Sequence, residues 1–253
     1  AGIKLQRSSV RNLQITGCDI EYNFDAEEKD CADVWIDARE AKVREVTISS
    51  CTIQAKYSPA GANVRIEAKP TKLSTDAGLW TISGNIIQSQ THNLLLRNCH
   101  GITVTGNSFC SAGERSLIID TCRNIAVGSC TIDYNPDYKG SRFDGVLVKD
   151  SAGINLNGLI VEASLVGNEK KGGAISIFNS HDITIANCQI FDPAHRGLHL
   201  DQVDHAVISG NLVRDHGQAP KMAEAILLTG KNDKLQFTGN LIDKGRRGDV
   251  VTM

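Results

Sequence analysis

The segments Ile82–Ile87 (ISGNII), Val104–Phe109 (VTGNSF), Ile208–Val213 (ISGNLV) and Phe237–Ile242 (FTGNLI) repeat one pattern along this chain. Five further segments share it: 15–20, 48–53, 127–132, 156–161 and 185–190. Each begins and ends on an apolar residue, and the fourth position is Asn or Cys in all but one. Neighbouring repeats are 22 to 34 residues apart. A short repeat with variable insertions, rich in β-branched residues and in Asn-bearing turns, predicts a parallel β-helix.

The strand that opens each coil alternates apolar and polar residues. We predict first strands at 2–7, 33–38, 63–68, 93–98, 116–121, 145–150, 174–179, 197–202, 225–230 and 249–253. Their inward positions are aliphatic pairs such as Val34/Ile36 and Leu198/Leu200. A shift by one residue would bury charges such as Asp37, so the register is fixed. The predicted fold class is all-β, a single-stranded parallel β-helix of about ten coils.

The composition agrees with one continuous solenoid. The chain has 253 residues, of which 41% are hydrophobic and only 5% aromatic, as expected for a narrow core of stacked Val, Ile and Leu. No linker or low-complexity tract divides residues 1–253, so we predict a single β-helix domain. The net charge of −2 and the absence of a basic run argue against a nucleic-acid partner. No apolar stretch is long enough to span a membrane.

Both ends of the sequence read as strands. Residues 1–5 (AGIKL) show no signal peptide, and neither end shows the polar cap that blocks further stacking of a solenoid. We therefore expect the chain to be a fragment of a longer protein, without its end caps.

Eight cysteines occur in the chain. Those at 18, 51, 130 and 188 occupy the turn position that Asn fills in other repeats, where a small buried thiol packs well. Cys99 and Cys122 share another position one coil apart, and neighbouring parallel strands have poor geometry for a disulfide. We expect all eight thiols to be free. No Cys-x-x-Cys spacing is present, so a zinc site is not expected.

The long insertions all follow the third strand of a coil. They cover 21–32, 54–62, 133–144, 162–173 and 214–224, and they would wall the outer face of the first strands along one edge. Long loops beside a rigid sheet are where solenoids place binding and catalysis. A site is therefore expected on the outer face of the first strands.

Strings such as 98–107 (NCHGITVTGN) resemble the right-handed parallel β-helix superfamily typified by pectate lyases, especially its carbohydrate-binding and sugar-hydrolysis repeat proteins. The resemblance covers nearly the whole chain. It implies a right-handed helix with a substrate groove along the outer face of the first strands, beside the long loops. The superfamily includes polysaccharide lyases, glycoside hydrolases, uronate epimerases and phage tailspikes, so function has to be argued from the site.

One outward row carries a charge on each of five successive coils: Asp37, Glu67, Arg97, Asp120 and Lys149. With strands about 4.8 Å apart, the five charges lie within about 20 Å. They either neutralise one another on a solvated face or line a groove for an acidic or neutral glycan. In the groove, the carboxylates would act as acid and base or hold Ca²⁺, and the cations would bind a uronate. Trp35 would stack on a sugar there, with Arg65 beside it.

A second cluster of titratable residues lies near the other end: His195, Arg196, His199, Asp201, Asp215 and His216. His199 and Asp201 are two residues apart on an outward strand face, so both point into the predicted groove. A His–carboxylate pair near an Arg is suited to removing the C5 proton of a uronate or to protonating a glycosidic oxygen. The hypothesis is a catalytic centre made of His195, Arg196, His199 and Asp201, with Asp215 and His216 binding substrate. The alternative is a set of polar loop residues.

Both clusters depart from known motifs. Residues 192–195 (DPAH) are similar to the Asp-Pro-His motif of alginate C5-epimerases, but Ala194 intervenes and the run precedes the strand. Residues 34–37 (VWID) are similar to the Trp-Ile-Asp-His string of pectate lyases, but Ala38 replaces the His. The type of reaction therefore stays open.

Two classes of function fit these patterns. The first is a secreted carbohydrate-active enzyme that acts on a polysaccharide as a lyase, epimerase or glycoside hydrolase. The second is a non-catalytic glycan-binding, adhesive or tailspike-like module at a cell surface. The outward-facing Leu95, Ile118 and Leu147 predict a face covered by a loop or by a partner chain, and thus a monomer or a homotrimer.

Overall fold

The computed structural model describes residues 1–71, 75–137, 143–219 and 221–253. Every regular element in these ranges is a β-strand, and the strands are numbered β1 to β26 along the chain. Within the same ranges, no helix has the length and apolarity needed to cross a membrane.

The first face of the solenoid is a stack of parallel strands, one from each coil. These are β1 (Ile3–Gln6), β4 (Ala32–Ala38), β7 (Ala62–Ala68), β10 (His92–Arg97), β13 (Arg115–Asp120), β16 (Val146–Lys149), β19 (Ile175–Ala186), β21 (Arg196–Ser209), β23 (Glu224–Thr229) and β26 (Gly248–Thr252). The structure therefore has the ten coils that the sequence predicts.

The second and third faces are built in the same parallel way. The second face contains β2 (Val10–Thr16), β5 (Val43–Ser49), β8 (Ala77–Ser83), β11 (His100–Thr105), β14 (Arg123–Gly128), β17 (Ala152–Asn157), β24 (Asp233–Thr238) and the later halves of β19 and β21. The third face contains β3 (Asp19–Glu21), β6 (Thr52–Gln54), β9 (Ile86–Gln88), β12 (Ser108–Cys110), β15 (Thr131–Asp133), β18 (Ile160–Glu162), β20 (Gln189–Phe191), β22 (Leu212–Arg214) and β25 (Leu241–Ile242). Because β19 and β21 run unbroken around the corner, they join the first and second faces into one sheet.

The register of the first face is the predicted one. Val34 pairs with Val64, and the same column continues through Leu94 to Leu117, all with no exposed surface. The core is thus a tube of aliphatic side chains in which each coil covers the apolar surface of the last. Because the side chains alternate across each strand, the next residue of every column points outward.

The predicted turn ladder is also confirmed. The Asn107 carboxamide oxygen accepts from the backbone N–H of Asn85 (3.0 Å), and the Asn85 oxygen in turn accepts from Cys51 N–H (3.0 Å). Each buried amide thus satisfies a backbone donor of the preceding coil, which an interior turn requires. Cys188 and Asn211 repeat the arrangement at 2.9 Å. All eight cysteines are free.

The insertions lie where they are predicted, between a third strand and the next first strand. The connections span 22–31, 55–61, 134–145, 163–174 and 215–223. Residues 138–142 and 220 of the predicted loops lie outside the described residues. One further insertion, 69–76 between β7 and β8, is not predicted by the repeat. Residues 72–74 of this insertion also lie outside the described residues. The predicted insertions thus share one edge of the first face, and the insertion 69–76 follows the opposite edge.

Candidate functional site

The five predicted charges form a continuous ladder on the first face. Asp37, Glu67, Arg97, Asp120 and Lys149 are cross-strand neighbours in that order. Arg97 bonds the Glu67 carboxylate at 2.9 Å and the Asp120 carboxylate at 3.0 Å. The Lys149 amine lies 3.2 Å from the same Asp120 oxygen. We call these five residues the charge ladder.

The two signs of charge in the ladder differ in exposure. The side chains of Glu67 and Asp120 are 4% and 9% exposed, whereas those of Arg97 and Lys149 are each 40% exposed. The carboxylates therefore act as buried supports, and the cations project above them. This arrangement holds N–H donors in fixed positions toward solvent, where they can bind oxygen atoms of a ligand.

The structure adds Arg39 to one end of the ladder. Its guanidinium binds both oxygens of the buried Asp37 carboxylate, at 2.8 and 2.7 Å. This bidentate bond is the main reason that the pKa of Asp37 is lowered. Arg39 was not singled out from the sequence because it follows the strand, where the two-residue alternation no longer applies.

Trp35 and Arg65 lie in the adjacent outward row but do not form an open sugar platform. Arg65 is buried between Glu67 (2.9 Å) and Asp30 (2.7 Å). The Trp35 ring lies between its two row neighbours, with the Lys4 amine 4.3 Å and the Arg65 guanidinium 5.1 Å from the ring centroid. The expected stacking of Trp35 on a sugar is therefore corrected, because cations already occupy the faces of its ring.

The ladder carboxylates do not fit a calcium site. Each is bonded to Arg or Lys, whereas Ca²⁺ requires six to eight oxygen ligands. Across the described residues, no group of three His, Cys, Asp or Glu side chains is placed to hold a metal ion. The residues present therefore give no support to the expected calcium ligation.

The predicted cover over the apolar part of the first face is present within the chain. Leu95 and Ile118 are 3% and 8% exposed. They pack with Ala62 and Leu147 in a small cluster outside the main core. Outward-facing aliphatic residues are thus buried without a partner chain.

His199 is buried and its hydrogen bonds are complete. Its Nδ1 accepts from the Gly172 N–H at 2.9 Å, so Nε2 carries the proton and donates to Thr229 Oγ1 at 2.8 Å. Burial, helped by the Arg196 charge, lowers the pKa of His199 to about 4. The expectation that His199 points into an open groove is wrong, because loop 163–174 lies over it. We call this loop and the strand beneath it (196–201) the covered coil.

Arg196 anchors the same loop. It has no exposed surface and bonds the equally buried Glu224 at 2.5 Å. Its Nη1 and Nη2 groups donate to backbone carbonyls of the loop: Asn168 at 3.0 Å, Glu169 at 3.1 Å, and Gly172. Arg196 therefore cannot reach a substrate in this conformation. Glu224 was missed from the sequence, although it occupies the same register position as Arg196 one coil later.

The other residues of the predicted second centre do not converge on His199. Asp215 is a loop support that accepts backbone N–H groups of Gly217, Lys221 and Met222. His216 instead bonds Asp192 through its ring, at 3.1 Å.

Asp201 and His195 are half-buried. Burial lowers the pKa of His195, whose Nδ1 is buried and has no hydrogen-bond partner in the described structure. The structure thus brings the residues of the charge ladder together, whereas the residues of the second predicted centre have separate partners.

Comparisons with known proteins agree with this fold. The family model described as "right handed beta helix region" matches residues 73–253. The enzymatically active domain of tailspike protein 2 from bacteriophage CBA120 has a TM-score of 0.63 at 12% identity, over 99% of this chain and 39% of that one. This chain thus spans about two fifths of the tailspike domain.

Two further structures are similar at lower scores. The A-module of the Azotobacter vinelandii mannuronan C-5 epimerase has a TM-score of 0.41 at 11% identity, over 93% of this chain and 78% of that one. The Paenibacillus sp. alginate lyase has a TM-score of 0.34 at 8% identity, over 88% and 98%. No curated protein sequence is significantly similar to this chain. Because the family model matches well over half of its length, this chain belongs to the right-handed β-helix family.

Proposed function

We propose that this protein is carbohydrate-active and binds an acidic polysaccharide along the first face, across the charge ladder. Arg97 and Lys149 would contact the carboxylates or hydroxyls of the glycan. A polysaccharide ligand would place the protein outside the cell or at its surface. The observation that carries the proposal is the contrast between exposed cations and buried carboxylates in the ladder.

The geometry favours a linear ligand. Successive ladder residues are one strand spacing apart, about 4.8 Å, so their contacts repeat along a straight line. Arg97 uses Nε and Nη1 for the two carboxylates, so Nη2 is bonded to neither of them. Because the carboxylates fix the guanidinium, little side-chain entropy remains to be lost on binding. The tailspike domain that shares this fold is described as enzymatically active.

Catalysis at the ladder is a second candidate function. The Lys149 amine and the Arg97 guanidinium share one carboxylate, that of Asp120. Two adjacent cations would stabilise the negative charge that develops when a proton is removed next to a uronate carboxylate. The buried, neutral His199 argues against placing this chemistry in the covered coil.

The test is a panel of uronate-containing and neutral polysaccharides with separate readouts for binding and for reaction. Binding is followed by affinity electrophoresis, and reaction by the ultraviolet absorbance of unsaturated products and by reducing ends. Lys149→Ala should weaken binding of the acidic members by about tenfold, as expected for loss of a charge-assisted contact. Lys231→Ala, an exposed lysine away from the ladder, is the matched control and should bind as the unmodified protein does.

His199→Ala separates the two predicted centres. If it keeps full binding and reaction while Lys149→Ala loses them, the ladder is the centre. Loss of reaction in a folded His199→Ala, with Lys149→Ala unaffected, would overturn the proposal and return the centre to the covered coil. Thermal unfolding of each variant checks that the β-helix is intact.

A further inference from the structure

A cleft lies beside the charge ladder, where the first face turns into the second. Its volume is about 530 Å³. Its lining includes the turn residues Asn98, Thr121, Asp150 and Asn179 and the second-strand residues Arg123, Ala152 and His181, with Thr71 of the unpredicted insertion also in the wall. We call this the turn cleft. None of these residues belongs to the ladder or to the covered coil.

The turn residues occupy one line of positions on four successive coils. Asn98, Thr121, Asp150 and Asn179 have φ values of 56°, 55°, 52° and 47°, so four successive coils turn in the same left-handed conformation. The Asn179 amide donates to Asp150 Oδ1, and the Thr121 hydroxyl donates to Asp120 Oδ1. The other oxygens of Asp150 and Asn179 have no partner among the described residues. A ligand hydroxyl can therefore donate to them.

The floor of the cleft is a notch between two longer side chains. Arg123, Ala152 and His181 are cross-strand neighbours on three successive coils. With strands about 4.8 Å apart, the methyl group of Ala152 is flanked by side chains whose backbones are about 10 Å apart. That width suits one sugar ring. The notch exists because the middle residue of the three is small.

The two flanking groups retain free donors or acceptors. Within the described ranges, Arg123 is exposed and has no acidic partner within salt-bridge distance. His181 Nδ1 bonds Asp182 at 2.8 Å, which orients the ring and leaves Nε2 open. An unpaired guanidinium has a planar fork of donors that matches a carboxylate.

We propose that the turn cleft is a subsite for an acidic saccharide unit, with its ring over Ala152 and its carboxylate on Arg123. Hydroxyl groups of the ring would donate to Asp150 and Asn179. The inference rests on the proposed function for the class of ligand, and on a different set of residues for the site. Because Lys149 and Asp150 are adjacent in the chain, a glycan on the ladder would extend directly into the cleft.

The chemistry of the lining favours this ligand over a more highly charged anion. A phosphate ester would bring two negative charges near the Asp150 carboxylate, which has no arginine to neutralise it in the described structure. A sugar acid brings one negative charge. It also brings hydroxyl groups, which can donate to the oxygens of Asp150 and Asn179 that have no partner among the described residues. A neutral sugar would leave Arg123 without its counter-charge, so acidic units should bind more tightly.

The test fills the notch and, separately, removes the cation. Ala152→Tyr blocks the floor with a residue that β-strands accept, and Ala126→Tyr is the matched control on the outward face of the adjacent strand, away from the cleft. Arg123→Gln removes the charge, and Arg11→Gln is its control in the same row of the second face. The probes are tetrasaccharides of galacturonate, mannuronate and guluronate, and neutral cellotetraose. Binding is measured by isothermal titration calorimetry, and circular dichroism confirms the fold.

At least one acidic tetrasaccharide should bind about tenfold more weakly to Arg123→Gln, through loss of a charge-assisted contact, and to Ala152→Tyr, through steric block of the floor, with both controls unchanged. Equal affinity in all four variants, or no binding of any acidic probe to the unmodified protein, would overturn the inference. Weaker binding in Lys149→Ala but not in Ala152→Tyr would refute the subsite in the turn cleft and support binding at the ladder. The reverse result would support the subsite in the cleft and refute binding at the ladder.

Discussion

The charge ladder and the covered coil lie on the same outward face of the same stack of strands, yet only one is open to solvent. In the ladder, Arg97 keeps 40% of its side-chain surface exposed above buried carboxylates. In the covered coil, Arg196 and His199 lie on β21 of the same first face and are almost completely buried. The strands are alike in both regions. The loop that follows the third strand therefore decides whether a charged residue binds a ligand or holds the fold together.

The difference has a clear cause in hydrogen bonding. Arg196 donates to Glu224 and to backbone carbonyls of loop 163–174, whereas Arg97 of the ladder, among the described residues, bonds side-chain carboxylates alone. Bonds to several backbone carbonyls hold the loop itself against Arg196. The loop also packs closely, because a Cβ at Gly173 would lie 2.7 Å from the Arg196 side chain. Buried groups with complete hydrogen bonding favour one fixed conformation.

The largest effect should come from breaking the Arg196–Glu224 pair. Glu224→Gln keeps the shape of the side chain but leaves Arg196 as a buried cation without a counter-charge. Removing one partner of a buried ion pair costs about 3 kcal/mol or more in the free energy of unfolding. Urea denaturation measures this loss, and faster proteolysis at Lys170 and Lys171 should show that the loop has been released.

The exposed pair Arg7–Glu40 provides the control for this variant. Glu40 is 65% exposed, so Glu40→Gln should change stability little. Equal losses in Glu224→Gln and Glu40→Gln would show that the covered coil does not depend on its buried pair.

This contrast also shows what the sequence could predict. The first-face register follows from two-residue alternation and aliphatic pairs such as Val34/Ile36, so rows of outward residues could be placed correctly. The closure of loop 163–174 could not, because its polar composition gives no sign that its backbone carbonyls meet Arg196. Glu224 could have been found by extending the register one coil past Arg196. The turn cleft could not be predicted either, because Thr71 of its wall lies in an insertion that breaks the repeat.

A second prediction compares two buried titratable groups outside the ladder, Asp144 and His199. Burial raises the pKa of Asp144, in the loop before β16, from 3.8 to about 7. Its folded-state pKa is thus above its unfolded value, so the stability that it contributes is present at acidic pH and is lost as pH rises through about 7. His199 has the opposite sign, because its pKa is lowered to about 4 and acid favours the unfolded chain. The two groups should therefore lower the stability of the protein at opposite ends of the pH range.

The variant Asp144→Asn tests the loss of stability at alkaline pH. One oxygen of Asp144 accepts from Ala112 N–H and Ser116 Oγ, and an amide oxygen can keep both bonds. The variant should match the unmodified protein at pH 4 and exceed it at pH 8 by about 1 kcal/mol or more, since one unit in pKa corresponds to about 1.4 kcal/mol. Chemical denaturation at several pH values measures the difference. Asp137→Asn, in an exposed part of the same loop, should show no such trend.

A smaller loss of stability is expected in the ladder. Arg97→Met removes the cation between Glu67 and Asp120, but Glu67 keeps Arg65 at 2.9 Å and Asp120 keeps Lys149 at 3.2 Å. Because each carboxylate retains a partner and Arg97 is partly exposed, the cost should be about 1 kcal/mol. Urea denaturation in parallel with Glu224→Gln makes the comparison. A loss as large as that of Glu224→Gln would mean that the ladder is as structural as the covered coil.

The last prediction changes no residue and concerns the proton on His199. Because Gly172 N–H donates to Nδ1, the neutral ring must carry its proton on Nε2, and protonating Nδ1 would break that bond while placing a cation beside Arg196. Long-range nitrogen–proton correlation spectra should therefore show His199 as the Nε2–H tautomer, with no titration until the pH approaches 4. A midpoint near 6.5, the ordinary value for histidine, would show instead that loop 163–174 opens readily. In that case the covered coil would present the exposed His199 that its sequence predicts, and the difference from the ladder would be one of loop motion.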